Sequence, residues 1–148
     1  MMRDDGIGVV AARALQQQAL GEGVRVLDLG MDAFELVYEM QDVPRVIIID
    51  AVSTGGEPGK VYQFTPDDAR SVNSRTSSLH GIDLLDALEL AKATKVSPQV
   101  MIVGVEPHEV APGQNLSPVV ASRVPEVVVV VKRLIGDEAV WSAGHGGS

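Results

Sequence analysis

The sequence predicts an α/β protein, a three-layer α/β/α sandwich around a mostly parallel sheet, and three observations carry that expectation. Some segments repeat apolar residues at helical spacing, while others are short β-branched runs. The two kinds alternate along the chain, as they do when strands are joined through helices. Val46-Ile47-Ile48-Ile49 is apolar at every position, which fits a strand covered on both faces. At 148 residues the chain suits a single domain, placed at residues 1–136, with a Gly- and Ser-rich tail at 137–148 expected to be disordered.

In chain order, Asp4 and Asp5 precede an Ala-rich stretch with Val9, Val10, Ala12, Ala14 and Leu15, read as a capped helix running to about Leu20 and stopped by Gly21 and Gly23. Val24 to Leu29 alternates and reads as a strand. Phe34, Val37 and Met40 then mark a helix from Ala33 to Met40, and Pro44 sets the next boundary. The Ile-rich strand ends in Asp50. Gly55-Gly56 and Pro58-Gly59 make a turn-rich connection to a strand over Lys60–Thr65. Pro66-Asp67-Asp68 opens a short helical turn, and Ser71 to Ser78 is a candidate mobile loop leading through His80-Gly81 into a helix over Ile82–Ala93. Gln99 to Val105 is a second buried strand, closed by Glu106-Pro107. After a long loop, Ser117-Pro118 starts a helical region to Ile135. Its five consecutive valines favour a strand by propensity, whereas Pro125 and Lys132-Arg133 fit two short helices or one kinked helix, and the helical reading is adopted.

Composition narrows the function. A formal net charge of −8 with only twelve Lys and Arg argues against nucleic acid as a partner. The absence of cysteine rules out a cysteine protease, disulfides and thiolate metal sites together. The longest apolar run, Val127 to Val131 with Leu134 and Ile135, is far short of a bilayer span, and Met1 to Gly8 lacks a signal-peptide pattern. The expectation is a cytoplasmic protein that is not membrane-bound.

Ligands of open α/β sheets collect beyond the carboxyl ends of the strands, so the polar residues there are the first candidates for chemistry. Asp50 ends the Ile-rich strand, Asp28 ends the strand before it, His80 lies in the loop entering a helix, and Asp5 starts the first helix at the same edge. Asp5, Asp50 and His80 together would supply two carboxylates and an imidazole, a donor set suited to Ni²⁺ or Zn²⁺ with open positions. Singly, Asp5 also suits a helix cap, Asp50 a turn after the strand, and His80 an ordinary loop residue. His108 and His145 have less context still. Neither a Gly-rich phosphate loop nor a Gly-x-Ser-x-Gly elbow is present.

Asp4-Asp5-Gly6-Ile7-Gly8-Val9, Val46 through Val52, Ser78-Leu79-His80-Gly81, Val103-Gly104-Val105-Glu106-Pro107 and Asn115-Leu116-Ser117-Pro118 follow one another in an order that resembles the nickel-iron hydrogenase maturation protease family. The resemblance runs from about Arg3 to Ile135. It implies an endopeptidase that removes a short C-terminal peptide from the nickel-loaded hydrogenase large-subunit precursor. By the same resemblance, Asp5, Asp50 and His80 contact nickel carried by the substrate, with Zn²⁺ or a similar ion able to substitute. Asp28 is a candidate for orienting substrate or assisting proton transfer, although Asp28-Leu29-Gly30-Met31 departs from the family's Asp-Gly-Gly-Thr. The protein is expected to be a monomer.

The family also begins with an apolar strand ending in Gly-x-Gly-Asn, where this chain reads Met1-Met2-Arg3. The first strand is therefore expected to be missing, through a start site placed too late or a truncated, less stable product. The alternative function is a non-cleaving, hydrogenase-binding or chaperone-like remnant of the family.

Overall fold

Two parallel strands, β1 (Arg45–Ser53) and β6 (Gln99–Val105), form the middle of the sheet, in register from Arg45 opposite Gln99 to Ala51 opposite Val105. Both are dominated by Val and Ile, whose branched side chains pack well on a pleated surface. A computed structural model of the chain describes residues 6–27, 33–41, 43–71, 75–76, 78–79, 82–93, 98–108 and 116–144. Within them, β2 (Val61–Phe64) pairs antiparallel with the outer edge of β6, and β3 (Arg75–Thr76) pairs antiparallel with the last two residues of β1. The order is β2-β6-β1-β3, a mixed sheet with its parallel pair at the centre. A separate two-stranded ladder joins β4 (Ser78–Leu79) to β5 (Ile82–Asp83).

Alternation along β1 and β6 sends side chains to opposite faces. Ala51, Met101, Val103 and Val105 face a cluster with Ile7, Ala11 and Leu15 of α1 (Ile7–Gln16), Val120 of α5 (Pro118–Ala121), and Val127, Val128, Val131 and Leu134 of α6 (Val124–Gly136). Val52, Val100 and Ile102 face Val37 of α2 (Ala33–Glu39), Met40, and Leu88 and Ala91 of α4 (Leu84–Lys92). Helices therefore cover both faces, and the three layers expected from the alternating pattern are present. A short helix, α3 (Pro66–Ser71), follows β2 and is opened by a reciprocal cap: Thr65 N–H donates to Asp68, and Asp68 N–H donates to Thr65 Oγ1.

The valine run is helical. Val127, Val128, Val131 and Leu134 are buried while Val129 is half exposed, a helical spacing that a strand does not produce. Valine costs a few tenths of a kcal/mol per residue in a helix, whereas burying its side chain is worth about 1.5 kcal/mol or more, so packing overrides propensity. Pro125 sits in the first turn of α6, where its missing N–H has no helical partner to lose. The proline thus separates α5 from α6, as the two-helix reading anticipated.

Several expectations are corrected. The Ile-rich strand runs past Asp50 to Ser53, β3 lies within the Ser71–Ser78 segment read as a loop, and Ile82–Asp83 is a strand, so that the helix expected from Ile82 starts at Leu84. The first helix ends at Gln16 rather than near Leu20; Gln17 and Gln18 N–H bond back to Ala14 and Leu15, closing its last turn. Of the strand expected over Val24–Leu29, residues 24–27 form no ladder with other described residues, and Val24 and Leu27 are 37% and 41% exposed; Asp28 and Leu29 lie outside the described residues. The stretch from Asp137, read as a disordered tail, instead forms α7 (Glu138–Gly144). Asp137 accepts from Val140 N–H at the helix start, and Trp141 is only 1% exposed. The Trp141 Nε1–H donates to the Leu134 carbonyl at 2.8 Å, satisfying a terminal acceptor of α6. Arg45, at the start of β1, pairs with Glu138 and lies 5.4 Å from the Trp141 ring centroid. Residues 145–148 of the predicted tail lie outside the described residues.

Candidate active site

Asp50 is the sixth residue of β1 and is 7% exposed, a carboxylate carried into the protein by the apolar residues before it. Buried carboxylates are retained only with compensating partners or a task. Asp50 stands opposite Gly104 on β6, and Gly104 in turn opposes Tyr62 on β2, so Asp50 and Tyr62 flank a residue without a side chain on one face of the sheet.

Two neighbouring segments reach the same end of β1. A Cβ placed on Gly8 would lie 2.6 Å from the Ile49 carbonyl oxygen, so the first turn of α1 is pressed onto the strand one residue before Asp50. Only glycine permits that approach. On the outer side, β3 pairs through Thr76 with Val52 and through Arg75 with Ser53. Asp5 immediately precedes the Gly6 cap of α1, and His80 follows β4, but Asp5, Asp28 and His80 all lie outside the described residues. Asp50 is the predicted site residue whose position is described. Among the described residues, no three His, Asp or Glu side chains are grouped closely enough to hold a metal ion. His108 is exposed, and His145 lies outside the described residues.

A second carboxylate emerged that sequence reasoning had treated only as the end of a strand. Glu106 follows β6 directly and is 4% exposed. Its Oε1 accepts from Thr54 Oγ1 at 2.7 Å, Tyr62 OH at 2.9 Å, Thr54 N–H at 3.0 Å and Gly56 N–H at 3.2 Å, while Oε2 also receives Thr54 N–H at 3.2 Å. The main chain repeats the connection, since Gly59 N–H donates to the Glu106 carbonyl and Glu106 N–H donates to the Lys60 carbonyl, each at 2.8 Å. Burial pushes the Tyr62 phenol above the usual tyrosine value; its hydrogen bond with Thr54 opposes that shift, and the Glu106 carboxylate adds to it. The sequence signal was the same as for Asp50, an acidic residue directly after an apolar β-branched run.

The rim of the sheet thus combines buried carboxylates, a phenol and a turn of exposed backbone, on a frame covered by helices. Among the described residues, no helix is long and apolar enough to cross a membrane. The sequence profile of the family described as hydrogenase maturation protease matches residues 9–133. Hydrogenase 2 maturation protease of Escherichia coli K12 is 30% identical over 146 residues, spanning 95% of this chain and 89% of that protein. Protein FrxA of Pyrococcus furiosus is 30% identical over 138 residues, spanning 90% of this chain and 97% of that protein. The hydrogenase maturating endopeptidase HybD of E. coli superposes with a TM-score of 0.76 at 28% identity, covering 88% of this chain and 82% of that one. The nickel-iron hydrogenase maturation protease HybD of Thermococcus kodakarensis gives 0.74 at 28% identity, covering 91% and 92%. A family profile that matches most of the chain, with relatives and solved structures of the same family beside it, means that this chain belongs to the hydrogenase maturation protease family and is a maturation endopeptidase.

Proposed function

We propose that the chain removes a short C-terminal peptide from the large-subunit precursor of a nickel-iron hydrogenase after nickel has been inserted, and that Asp5, Asp50 and His80 contact the nickel carried by that substrate. The observation that carries the reading is the convergence on the carboxyl end of β1. The first turn of α1, adjacent in sequence to Asp5, packs against Ile49. The strand β3, which leads toward His80, pairs beside Val52 and Ser53. Both segments approach Asp50, the residue between those contact points.

Two carboxylates and one imidazole match the ligand preferences of Ni²⁺, and Zn²⁺ or a similar ion takes the same donors. Holding the substrate's metal fixes the adjacent peptide in one orientation, which supplies the positional part of catalysis. In the cleavage itself water adds to the scissile carbonyl carbon, the C–N bond breaks, and a proton passes to the departing amine. Asp28 is the candidate for orienting substrate or assisting that transfer. The enzyme acts as a cytoplasmic monomer.

The test is to incubate the chain with nickel-loaded and nickel-free precursor and follow loss of the C-terminal peptide by mass spectrometry. Only the nickel-loaded precursor is expected to be cut, and His80→Ala is expected to abolish cutting. Equal cleavage of both precursors would contradict metal recognition, and cleavage of neither would contradict the peptidase reading.

A further inference from the structure

We propose that β1 accepts one further strand along its outer edge, parallel to it and apolar on both faces, and that the occupant is the protein's own chain running into α1 from ahead of Met1. The proposal concerns how the sheet is completed and stands without the peptidase reading.

A mismatch of burial across one ladder is the first observation. Val46, Ile47, Ile48 and Ile49 of β1 stand opposite Val100, Met101, Ile102 and Val103 of β6. The four β6 residues are buried, whereas the four on β1 are only half-buried. Ile47 and Ile49 pack on the cluster under α1 and α6, Val46 and Ile48 on the cluster under α2 and α4. Both faces are affected alike, so an uncovered face does not account for the exposure; an uncovered edge does. The ladders agree. On that side of β1, among the described residues, only Val52 and Ser53 have a partner, in β3. A row of N–H and C=O groups flanked by Val and Ile is a template for strand addition.

The surroundings set the chemistry of the occupant. Its side chains alternate between the two apolar clusters, so it has to be apolar at every position. The half-buried stretch Arg45–Ile49 asks for at least five residues, at about 3.3 Å each. Direction follows from α1, whose first turn is pressed onto the carboxyl end of this stretch: a Cβ on Gly8 would lie 2.6 Å from the Ile49 carbonyl oxygen. Chain that reaches α1 along this edge has therefore run parallel to β1, as in a right-handed strand–helix–strand unit. Beyond α1, residues 24–27 alternate as a strand does and pair with no described residue. Gln16 Nε2 donates to the Val26 carbonyl, and Val26 packs on the α1 cluster, so that segment stays beside the helix. One strand from ahead of α1 supplies the neighbour that both β1 and residues 24–27 lack. A second copy paired edge to edge about a two-fold axis would be antiparallel and would serve β1 alone.

The test compares amide hydrogen exchange in the 148-residue chain and in the same chain extended by the residues encoded ahead of Met1. In the shorter chain, the edge-facing amides of Arg45–Ile49 are expected to exchange at least about a hundredfold faster than the amides of Val100–Val103, within the span seen between frayed and core positions. Extension is expected to remove that difference and to slow residues 24–27 as well. Lys placed at two consecutive positions of the added segment, one for each face, is expected to restore fast exchange. Extension without added protection would overturn the proposal, and so would an added segment that is charged or proline-rich. Slow exchange at Arg45–Ile49 in the shorter chain, accompanied by a dimer in size-exclusion chromatography, would make a second copy the occupant. If the shorter chain does not stay folded, the extended chain decides alone: fast exchange at its Arg45–Ile49 amides contradicts the added strand.

Discussion

Asp50 and Glu106 are both acidic residues that follow a run of apolar strand residues, Val46–Ile49 within β1 and Val100–Val105 of β6. Burial of the strand draws the carboxylate inward, and for Glu106 the turn after β1 supplies donors. For Glu106 those donors are identified, and Gly56 is packed against them, so that a methyl group there meets the Tyr62 hydroxyl. Gly56→Ala is expected to lower stability by about 1 to 3 kcal/mol, the usual cost of overpacking, measured by denaturant unfolding. Tyr62 gives a pH signature. Because its folded-state value is raised by burial, with Glu106 adding to the shift, the stability it contributes is fully present below the ordinary tyrosine value of about 10 and is lost as pH rises through the higher folded value. Tyr62→Phe is expected to remove that alkaline loss from the stability profile. Asp50 was legible in the sequence because a long Ile run points at it. Glu106 was equally exposed to view after Val100–Val105, but its partners, Thr54 and Gly56, lie some fifty residues away in sequence, and no local spacing announces them.

At the scale of elements, α6 and α7 show how packing decides what propensity leaves open. The valine run could have been a strand by residue preference, and only the burial of Val127, Val128, Val131 and Leu134 beside an exposed Val129 selects the helix. The same contrast predicts mutational asymmetry. Val127→Ala is expected to cost roughly 1 to 3 kcal/mol, within the range for deleting buried methyl groups, while Val129→Ala is expected to change stability by less than about 0.5 kcal/mol. For α7 the local signals were present but outweighed by the surrounding Gly and Ser: Asp137 caps the helix and Trp141 fills the space beneath it. Composition describes the tail as a whole, whereas one large aromatic side chain with a donor and an acceptor in reach is enough to dock a seven-residue helix of about two turns. Trp141→Ala is expected to lower stability by about 3 to 5 kcal/mol and to release α7, seen as faster amide exchange across residues 138–144. In the strand expected over Val24–Leu29, residues 24–27 alternate but pair with no other described residue; a strand needs a neighbour, and sequence pattern alone does not supply one.

On the scale of the whole molecule, a sheet with helices on both faces places Asp50 and Glu106 at one rim. The alternation of helical and β-branched segments was enough to predict those layers, since each apolar face has to be covered by another element. The site was less legible, because its predicted members lie far apart in the chain and only tertiary packing can join them. What the fold does provide is a common destination: Gly8 against Ile49, β3 against Val52 and Ser53, and Glu106 holding the turn after β1. Asp50 stands where these meet, so the central claim is that peptide cleavage depends on its carboxylate. The most direct measurement is the rate at which Asp50→Asn, verified as folded by circular dichroism, releases the C-terminal peptide from nickel-loaded hydrogenase precursor. The predicted result is a fall of at least about a hundredfold relative to the wild-type chain, the scale expected when a substrate-orienting contact is lost; wild-type release by the variant would contradict it.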